Sequence, residues 1–335
     1  MIETASIQQH LINQVKSSLP SGASLVTEIS DLLDVSSDSA YRRIRGEKEF
    51  SICELEKVCR HFGVSFDGLM GLSSENVVFR NVALESQNFN IHQYLQGIVN
   101  DLQMTVNYEN ARITYMSKDV PIIQLFQIPE VAAFKTFVWM KTMAGFADLE
   151  KARFNVEMMD DKVAELGNQI IDLAIKIPTT EVWSQETLVS MISQIRYYWQ
   201  TDVFESKEDA LFLCSKLKVL ISHVASEAEH GFKYHCGGNP GGIPGTYQFY
   251  INDLVLPDNN IHIAMGDKQA VYVSHNVMNY LVTHDTGFCD RTKNILDNLT
   301  KRSTLVSQVA ERERSIFFRK LQNKVDAVMA DIDKA

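Results

Sequence analysis

Cysteine is scarce in this sequence, and the spacing of the few that occur excludes the common cysteine-based sites. The 335 residues include five cysteines, an odd number, and no two of them form a C-x-x-C pair. A disulfide framework or a zinc ribbon is therefore not expected. Scattered thiols favour a reduced cytosolic setting in which they are buried. The five are Cys53, Cys59, Cys214, Cys236 and Cys289.

Long apolar runs and a basic N-terminus are also missing. No stretch of about 18 uncharged apolar residues occurs, so no membrane span is predicted. The first residues, MIETASIQQHLINQ, carry Glu3 where a secretory signal would carry positive charge. We therefore expect a cytoplasmic protein without a membrane partner.

Motifs for catalysis and cofactor binding are absent as well. The sequence has no G-x-S-x-G turn and no H-E-x-x-H helix. The glycine-rich segment 237–245 lacks the Lys-Ser/Thr ending of a P-loop, which favours a flexible or ligand-covering loop over a nucleotide site. His230, His235 and Cys236 lie close in sequence, but their spacing does not match tetrahedral zinc. We expect no catalytic residue, no metal, no cofactor and hence no enzyme.

What is present is a pattern of caps and apolar stripes across residues 24–72. A first helix carries apolar residues at helical spacing, and Ser36 then caps a second helix. Ala40 and Ile44 lie four residues apart, so both fall on the packing face of that second helix. Gly46 supplies its C-terminal stop.

This segment resembles the Cro/repressor-type helix-turn-helix family of bacterial and phage transcription regulators. The resemblance covers roughly 70 of the 335 residues. Two positions depart from the family pattern, because Asp34 stands where glycine is usual and Arg43 stands where an apolar residue is usual. The matching features are Ser30, Val35, Ser36, Ala40, the Ile44-Arg45-Gly46 ending, and the capping-box spacing from Ser51 to Glu54.

The second helix is predicted to bind DNA. A short exposed helix with hydrogen-bonding side chains suits the major groove, which is wide enough to admit one. The face opposite Ala40 carries such side chains, and Lys48 follows as a phosphate contact. The predicted DNA-binding residues are Ser36, Ser37, Asp38, Tyr41, Arg42, Arg45 and Lys48.

The acidic balance disfavours non-specific DNA binding. The chain has a net charge of −10, and residues 1–75 hold eleven acidic against seven basic residues. Arg42, Arg43, Arg45 and Lys48 supply local positive charge at the predicted groove face, where phosphate contacts depend on it. We expect modest affinity for a single chain and a homodimer on DNA.

The predicted fold is mainly α. We expect an N-terminal helix-turn-helix bundle at 1–74, a linker at 75–89, and a larger α-rich α+β domain with a small antiparallel sheet at 90–335. That domain is predicted to be helical at 90–230, to form a β meander at 246–275 and to end in helices at 276–335. The apolar stripe of the last helix fits either core packing or pairing with a partner helix.

The predicted function is sequence-specific DNA-binding transcription regulation, with a C-terminal domain that senses a small molecule or a partner. DNA binding and dimerisation alone need far fewer residues than this chain has. The alternative is a protein-interaction scaffold with a helix-turn-helix module. Aromatic clusters at 134–139 and 197–199 fit a core more often than a small-molecule pocket. The expected partners are double-stranded DNA, a second copy of the chain and a small-molecule effector.

Overall fold

The structure, a computed structural model, describes residues 7–19, 23–64, 66, 69, 77–81, 89–254, 257–275 and 280–334. The chain divides into two compact units, Met1–Val78 and Phe79–Ala335. Most of the predicted linker at 75–89 lies outside the described residues. The predicted class is confirmed, because the chain is mainly α and its second unit is α+β.

The first unit is a helical bundle. Its described helices pack around one apolar cluster that includes Leu11, Ile29, Ala40 and Val58, each fully buried. A stripe of this kind on every helix is what a small bundle needs to exclude water from its centre. The helices are α1 (Ile7–Ser18), α2 (Leu25–Leu33), α3 (Ser37–Ile44) and α4 (Ile52–Phe62).

The described part of the second unit contains longer helices and one sheet. The helix α10 runs beside the C-terminal helix α12, and α5 packs on α8. A π-helical turn at Trp139–Met143 continues α7. The helices are α5 (Ile91–Val106), α6 (Ile122–Phe126), α7 (Pro129–Val138), α8 (Asp161–Ala174), α9 (Val189–Gln200), α10 (Lys207–His230), α11 (Thr286–Lys301) and α12 (Glu311–Lys334).

Within the described residues, eight strands form a single sheet in the order β1-β7-β6-β5-β2-β3-β4-β8. The central strands β2, β3 and β4 are parallel, and the other pairings are antiparallel. The strands are β1 (Arg80–Asn81), β2 (Arg112–Ser117), β3 (Thr179–Trp183), β4 (Tyr247–Ile251), β5 (Asn260–Met265), β6 (Lys268–Ser274), β7 (Tyr280–Thr283) and β8 (Thr304–Leu305).

The sheet is mixed, which corrects the expectation of an antiparallel one. Parallel neighbours need a long crossover, and the helical segments between β2, β3 and β4 provide it. The strand β4 lies between β3 and β8 rather than in a meander with β5 and β6. The regions predicted as helical also contain β2 and β3, and the C-terminal region contains β7 and β8.

The two faces of the sheet are covered differently. On one face, Trp183, Tyr247 and Phe249 join the large core formed with the helices. On the other face, α11 packs Leu296 and Leu299 against a second, smaller apolar cluster.

The C-terminal helix α12 uses its apolar stripe inside the chain. Phe317, Leu321, Val325, Val328 and Ile332 are all buried in the large core. Of the two roles that the sequence allowed, core packing is the one observed.

Candidate DNA interface

The turn between α2 and α3 is closed by local hydrogen bonds. Asp34 ends α2 in the left-handed conformation at φ 53°, which aspartate tolerates better than most residues. The hydroxyl of Ser30 donates to the carbonyl of Val35 at 2.7 Å. A small side chain at residue 30 therefore lets α3 begin directly after the turn.

The helix α3 has a capped start and a packed inner face. The Ser36 hydroxyl accepts a hydrogen bond from the Ser39 backbone N–H at 3.2 Å, which satisfies one of the unpaired donors at the helix start. Ala40 is fully buried and Ile44 is partly buried in the bundle core. The inner face is thus fixed by packing, and the outer face is left to solvent.

All the predicted DNA-binding residues are exposed, in the solvent-facing part of α3 or in the residues that flank it. Tyr41 is 48% exposed. The Arg45 guanidinium lies 5.7 Å from the centroid of the Tyr41 ring. The predicted residues are Ser36, Ser37, Asp38, Tyr41, Arg42, Arg45 and Lys48.

Glu47 lies against the two exposed arginines. Its carboxylate is 3.2 Å from Nε of Arg45 and 4.0 Å from Nε of Arg42. Both guanidinium groups are more than half exposed, so these ion pairs compete with solvent and with any anion that approaches. A phosphate or a base edge would have to displace Glu47 to bind both arginines fully.

Arg43 does not belong to the groove face, which corrects the placement made from charge alone. It is 4% exposed, and its guanidinium donates to Glu54 Oε1 at 2.6 Å and to Ser39 Oγ at 2.6 Å. A buried guanidinium needs such partners because an unpaired buried charge is costly. Arg43 therefore joins α3 to α4 from within.

The carboxylate of Glu54 binds two different groups at once. It completes a capping box with Ser51, whose N–H donates to Glu54 Oε2 at 2.8 Å, and it binds Arg43 through its other oxygen. Burial acts to raise the pKa of Glu54, but the hydrogen bonds from Ser51 and Arg43 and the charge of Arg43 lower it. The carboxylate is thus kept charged where α3 meets α4.

Gln8 is a residue that the sequence analysis missed. Its side-chain amide donates to the carbonyls of Arg43 and Lys48, both at 2.8 Å, and its oxygen accepts from the Phe50 N–H at 3.1 Å. One side chain of α1 therefore fixes the connection between α3 and α4. Partners about 40 residues apart leave no local sequence signal.

The aromatic residues of the second unit that the sequence analysis singled out lie mainly in the core. Phe134 packs edge to face with Phe154. Tyr198 packs edge to face with Phe134 and Phe137, whereas Tyr197 is 60% exposed. In the part of the chain that the structure describes, no three His, Cys, Asp or Glu side chains are grouped to hold a metal. No described helix is long and apolar enough to cross a membrane.

The two histidines that lie close in sequence, His230 and His235, contact different partners. His230 Nδ1 lies 2.8 Å from the Ser226 carbonyl, and His235 Nε2 lies 2.8 Å from Asp172. His223, which the sequence analysis did not single out, lies 3.3 Å from the fully buried Glu227. Burial alone would lower the pKa of His223, but hydrogen bonds to Cys236 and Glu227 raise it to about 9.

Comparison with known proteins gives one finding. Residues 8–86 match the family model of the BetR domain, a helix-turn-helix-type domain of transcription regulators. No curated protein and no solved structure matches the chain. The matched segment contains α1 except for Ile7, the whole of α2, α3 and α4, and all seven predicted DNA-binding residues. The first unit is therefore of the DNA-binding regulatory type.

Proposed function

We propose that this chain is a sequence-specific DNA-binding transcription regulator that reads the major groove with α3. The observation that carries this proposal is that α3 has a buried, fixed face and an opposite face of exposed polar side chains. Ala40 and Arg43 fix its inner face, while Tyr41, Arg42 and Arg45 are presented to solvent. The match of this segment to a helix-turn-helix-type domain supports the same function.

The exposed groups divide into two kinds of contact. Arg42 and Arg45 are suited to the acceptors of guanine, and Asp38 is suited to the amino group of cytosine. Ser36 and Ser37 stand at the start of α3, where backbone N–H groups favour a phosphate. Lys48 follows the helix and provides a phosphate contact that carries no sequence information.

We further propose that two copies bind DNA together. Helix-turn-helix proteins generally read two half-sites related by a two-fold axis, and one acidic unit has few cations for phosphates. Light scattering of the full chain at tens of micromolar should give about twice the mass of 38.0 kDa. A strictly monomeric protein, with and without operator DNA, would refute this part.

The test of DNA reading begins with selection of bound duplexes from a random pool by the full chain. On the selected operator, Arg42→Ala and Tyr41→Ala should each weaken binding by about 1–3 kcal/mol and relax the preference at one base position. Lys48→Ala should weaken binding to all duplexes alike and flatten the salt dependence. Arg60→Ala, on the exposed surface of α4, is the matched control.

Two outcomes would overturn the assignment. If the Arg42 and Tyr41 variants bind the operator as tightly as the parent, α3 is not the reading helix. If selection enriches no sequence at all, the interaction-scaffold alternative gains over DNA reading. Unchanged thermal unfolding of both variants separates lost contacts from lost structure, since both side chains are exposed.

We also propose that the second unit senses a small molecule. A unit of some 250 residues is larger than dimerisation needs, and its core is complete without a partner helix. In the full chain, a bound effector should raise the unfolding temperature of this unit and change operator affinity by a measurable factor.

A further inference from the structure

A row of polar side chains crosses the centre of the sheet. His262 on β5 pairs with Thr114 on β2, Thr114 pairs with Thr180 on β3, and Thr180 pairs with Gln248 on β4. Residues in register on neighbouring strands project from the same face. Four central strands thus place polar groups side by side, on the face that carries α11.

The adjacent row on that face is apolar and covered. Met116, Val182 and Tyr250 are two residues further along β2, β3 and β4, and they pack against Leu296 and Leu299 of α11. Over the polar row, Lys293, Asp297 and Thr300 of α11 help to line a cleft of about 210 Å³. The helix therefore packs directly on the apolar row and leaves a small cleft beside the polar row, in which Thr180 and His262 are largely buried.

The two threonines of the row make few close hydrogen bonds with the described residues. Thr180 donates to Gln248 at 3.4 Å, which is long for such a bond, and Thr114, which is partly exposed, has no side-chain hydrogen bond within the described residues. A threonine hydroxyl can both donate and accept, so these groups are suited to hydrogen-bond a polar ligand in the cleft.

Two cations line the cleft. Lys293 of α11 binds Asp297 one turn further on, so its charge is largely matched. Arg112, at the start of β2, forms no ion pair with any described residue. A guanidinium of this kind is suited to the two oxygens of a carboxylate.

His262 adds a defined acceptor. It is 3% exposed, and its Nε2 lies 2.7 Å from the Gln269 oxygen, whose amide nitrogen in turn donates to Asp290 at 2.8 Å. Since a carboxylate can only accept, Asp290 fixes the orientation of Gln269 and makes Nε2 of His262 the donor. Burial lowers the pKa of His262, so the ring is neutral and Nδ1 keeps a lone pair.

We propose that this cleft binds a small hydroxycarboxylate, with the carboxylate on Arg112 and the hydroxyl among His262 and the threonines of the polar row. The cleft is smaller than the roughly 300–1,000 Å³ of sites for drug-sized ligands, which suits a metabolite of few atoms. The inference deepens the proposed function and rests on it in one respect, because it identifies this ligand as the effector.

The test is calorimetric titration of the full chain with three probes. Malate represents a hydroxycarboxylate, butane-1,2,4-triol its uncharged counterpart with the same secondary hydroxyl, and inorganic phosphate a different small anion. Malate should bind with Kd below about 1 mM, and the triol should not bind. Arg112→Gln should weaken malate binding by about 10- to 100-fold, as loss of a charged hydrogen bond does.

Controls separate the site from general effects. Arg291→Gln removes a positive charge from α11 at a residue outside the cleft lining, and it should leave malate affinity unchanged. Arg112→Lys keeps the charge and should retain part of the affinity. Equal thermal unfolding of these variants without ligand shows that the fold is intact, since Arg112 is exposed.

Three results would overturn the proposal. They are no malate binding at about 10 mM, malate binding that Arg112→Gln does not weaken, and tighter Arg112-dependent binding of phosphate than of malate. None of these involves DNA, so the DNA-binding proposal would stand. Conversely, malate binding that leaves operator affinity unchanged would confirm the site and refute the sensing role.

Discussion

Glu47 is expected to restrain DNA binding, and its neutralisation tests the geometry of the interface directly. Glu47→Gln keeps the size of the side chain and removes its charge. The variant loses the pairing with Arg42 and Arg45 that the free protein makes at 4.0 and 3.2 Å. Both guanidinium groups then become available without competition from a neighbouring carboxylate.

The size of the effect follows from the exposure of these pairs. Each exposed ion pair contributes about 0.2–1 kcal/mol, so two pairs together oppose binding by up to about 2 kcal/mol. Operator affinity should therefore increase by about 2- to 30-fold. The salt dependence should steepen by about 0.9 logarithmic units for each arginine that newly reaches a phosphate.

The assay is fluorescence anisotropy of labelled operator from about 50 to about 200 mM salt. Glu49→Gln is the matched control, because it makes the same charge change two residues away and Glu49 forms no ion pair with a described residue. The reasoning is refuted if Glu47→Gln and Glu49→Gln raise affinity equally, since the gain would then come from net charge alone.

Two further predictions concern polar contacts that stabilise each unit. Gln8→Ala should lower the stability of the first unit by about 1–3 kcal/mol, measured by hydrogen exchange in α3 and α4, because three backbone groups lose their partner. Gln8→Glu places a carboxylate oxygen against the carbonyls of Arg43 and Lys48 and should be at least as destabilising as Gln8→Ala; a Gln8→Glu variant as stable as the parent would contradict the assigned bonds. The stability advantage of the parent over His223→Gln should be fully present below about pH 6.5 and be lost as pH rises through about 9, because His223 binds its proton more tightly when folded. Tryptophan fluorescence reports this unit, and an advantage that grows with pH would contradict the pairing with Glu227.

Capping signals predicted the first unit well because they act over a few residues. Ser36 and Ser51 accept the expected backbone bonds, and Asp34 and Gly46 adopt the left-handed conformations that the turn and the helix end require. The direction of Arg43 was not predictable in the same way. It depends on Glu54, eleven residues away, and on the close packing of α3 against α4.

The strand β3 shows why the sheet was harder to predict. All five of its residues, Thr179–Trp183, are buried, so the polar–apolar alternation of a half-exposed strand is absent. Glu181 and the two threonines also remove the apolar run that a central parallel strand usually has. Burial on both faces comes from helices far away in sequence, and only the assembled fold reveals it.

The cleft over the polar row belongs to the same class of feature. Thr114, Thr180 and Gln248 lie more than sixty residues apart along the chain. None of them stands out from the other residues of its own strand. Their proximity follows from strand register, and the cleft beside them follows from the way α11 packs on the sheet. A sequence pattern carries neither piece of information.

The ion pairs of the first unit bear on how an acidic chain would discriminate between DNA sequences under the proposed function. Arg42, Arg43, Arg45 and Arg60 each lie against a carboxylate. Non-specific affinity rises with the number of cations that reach phosphates, so we expect one copy to have little of it. Base contacts depend less on net charge, and the proposed pair of copies would double the number of cations. The proposal therefore predicts that a dimer binds its operator in preference to arbitrary DNA. The basic side chains of this unit without an ion pair among the described residues are Lys16, Lys48 and Lys57.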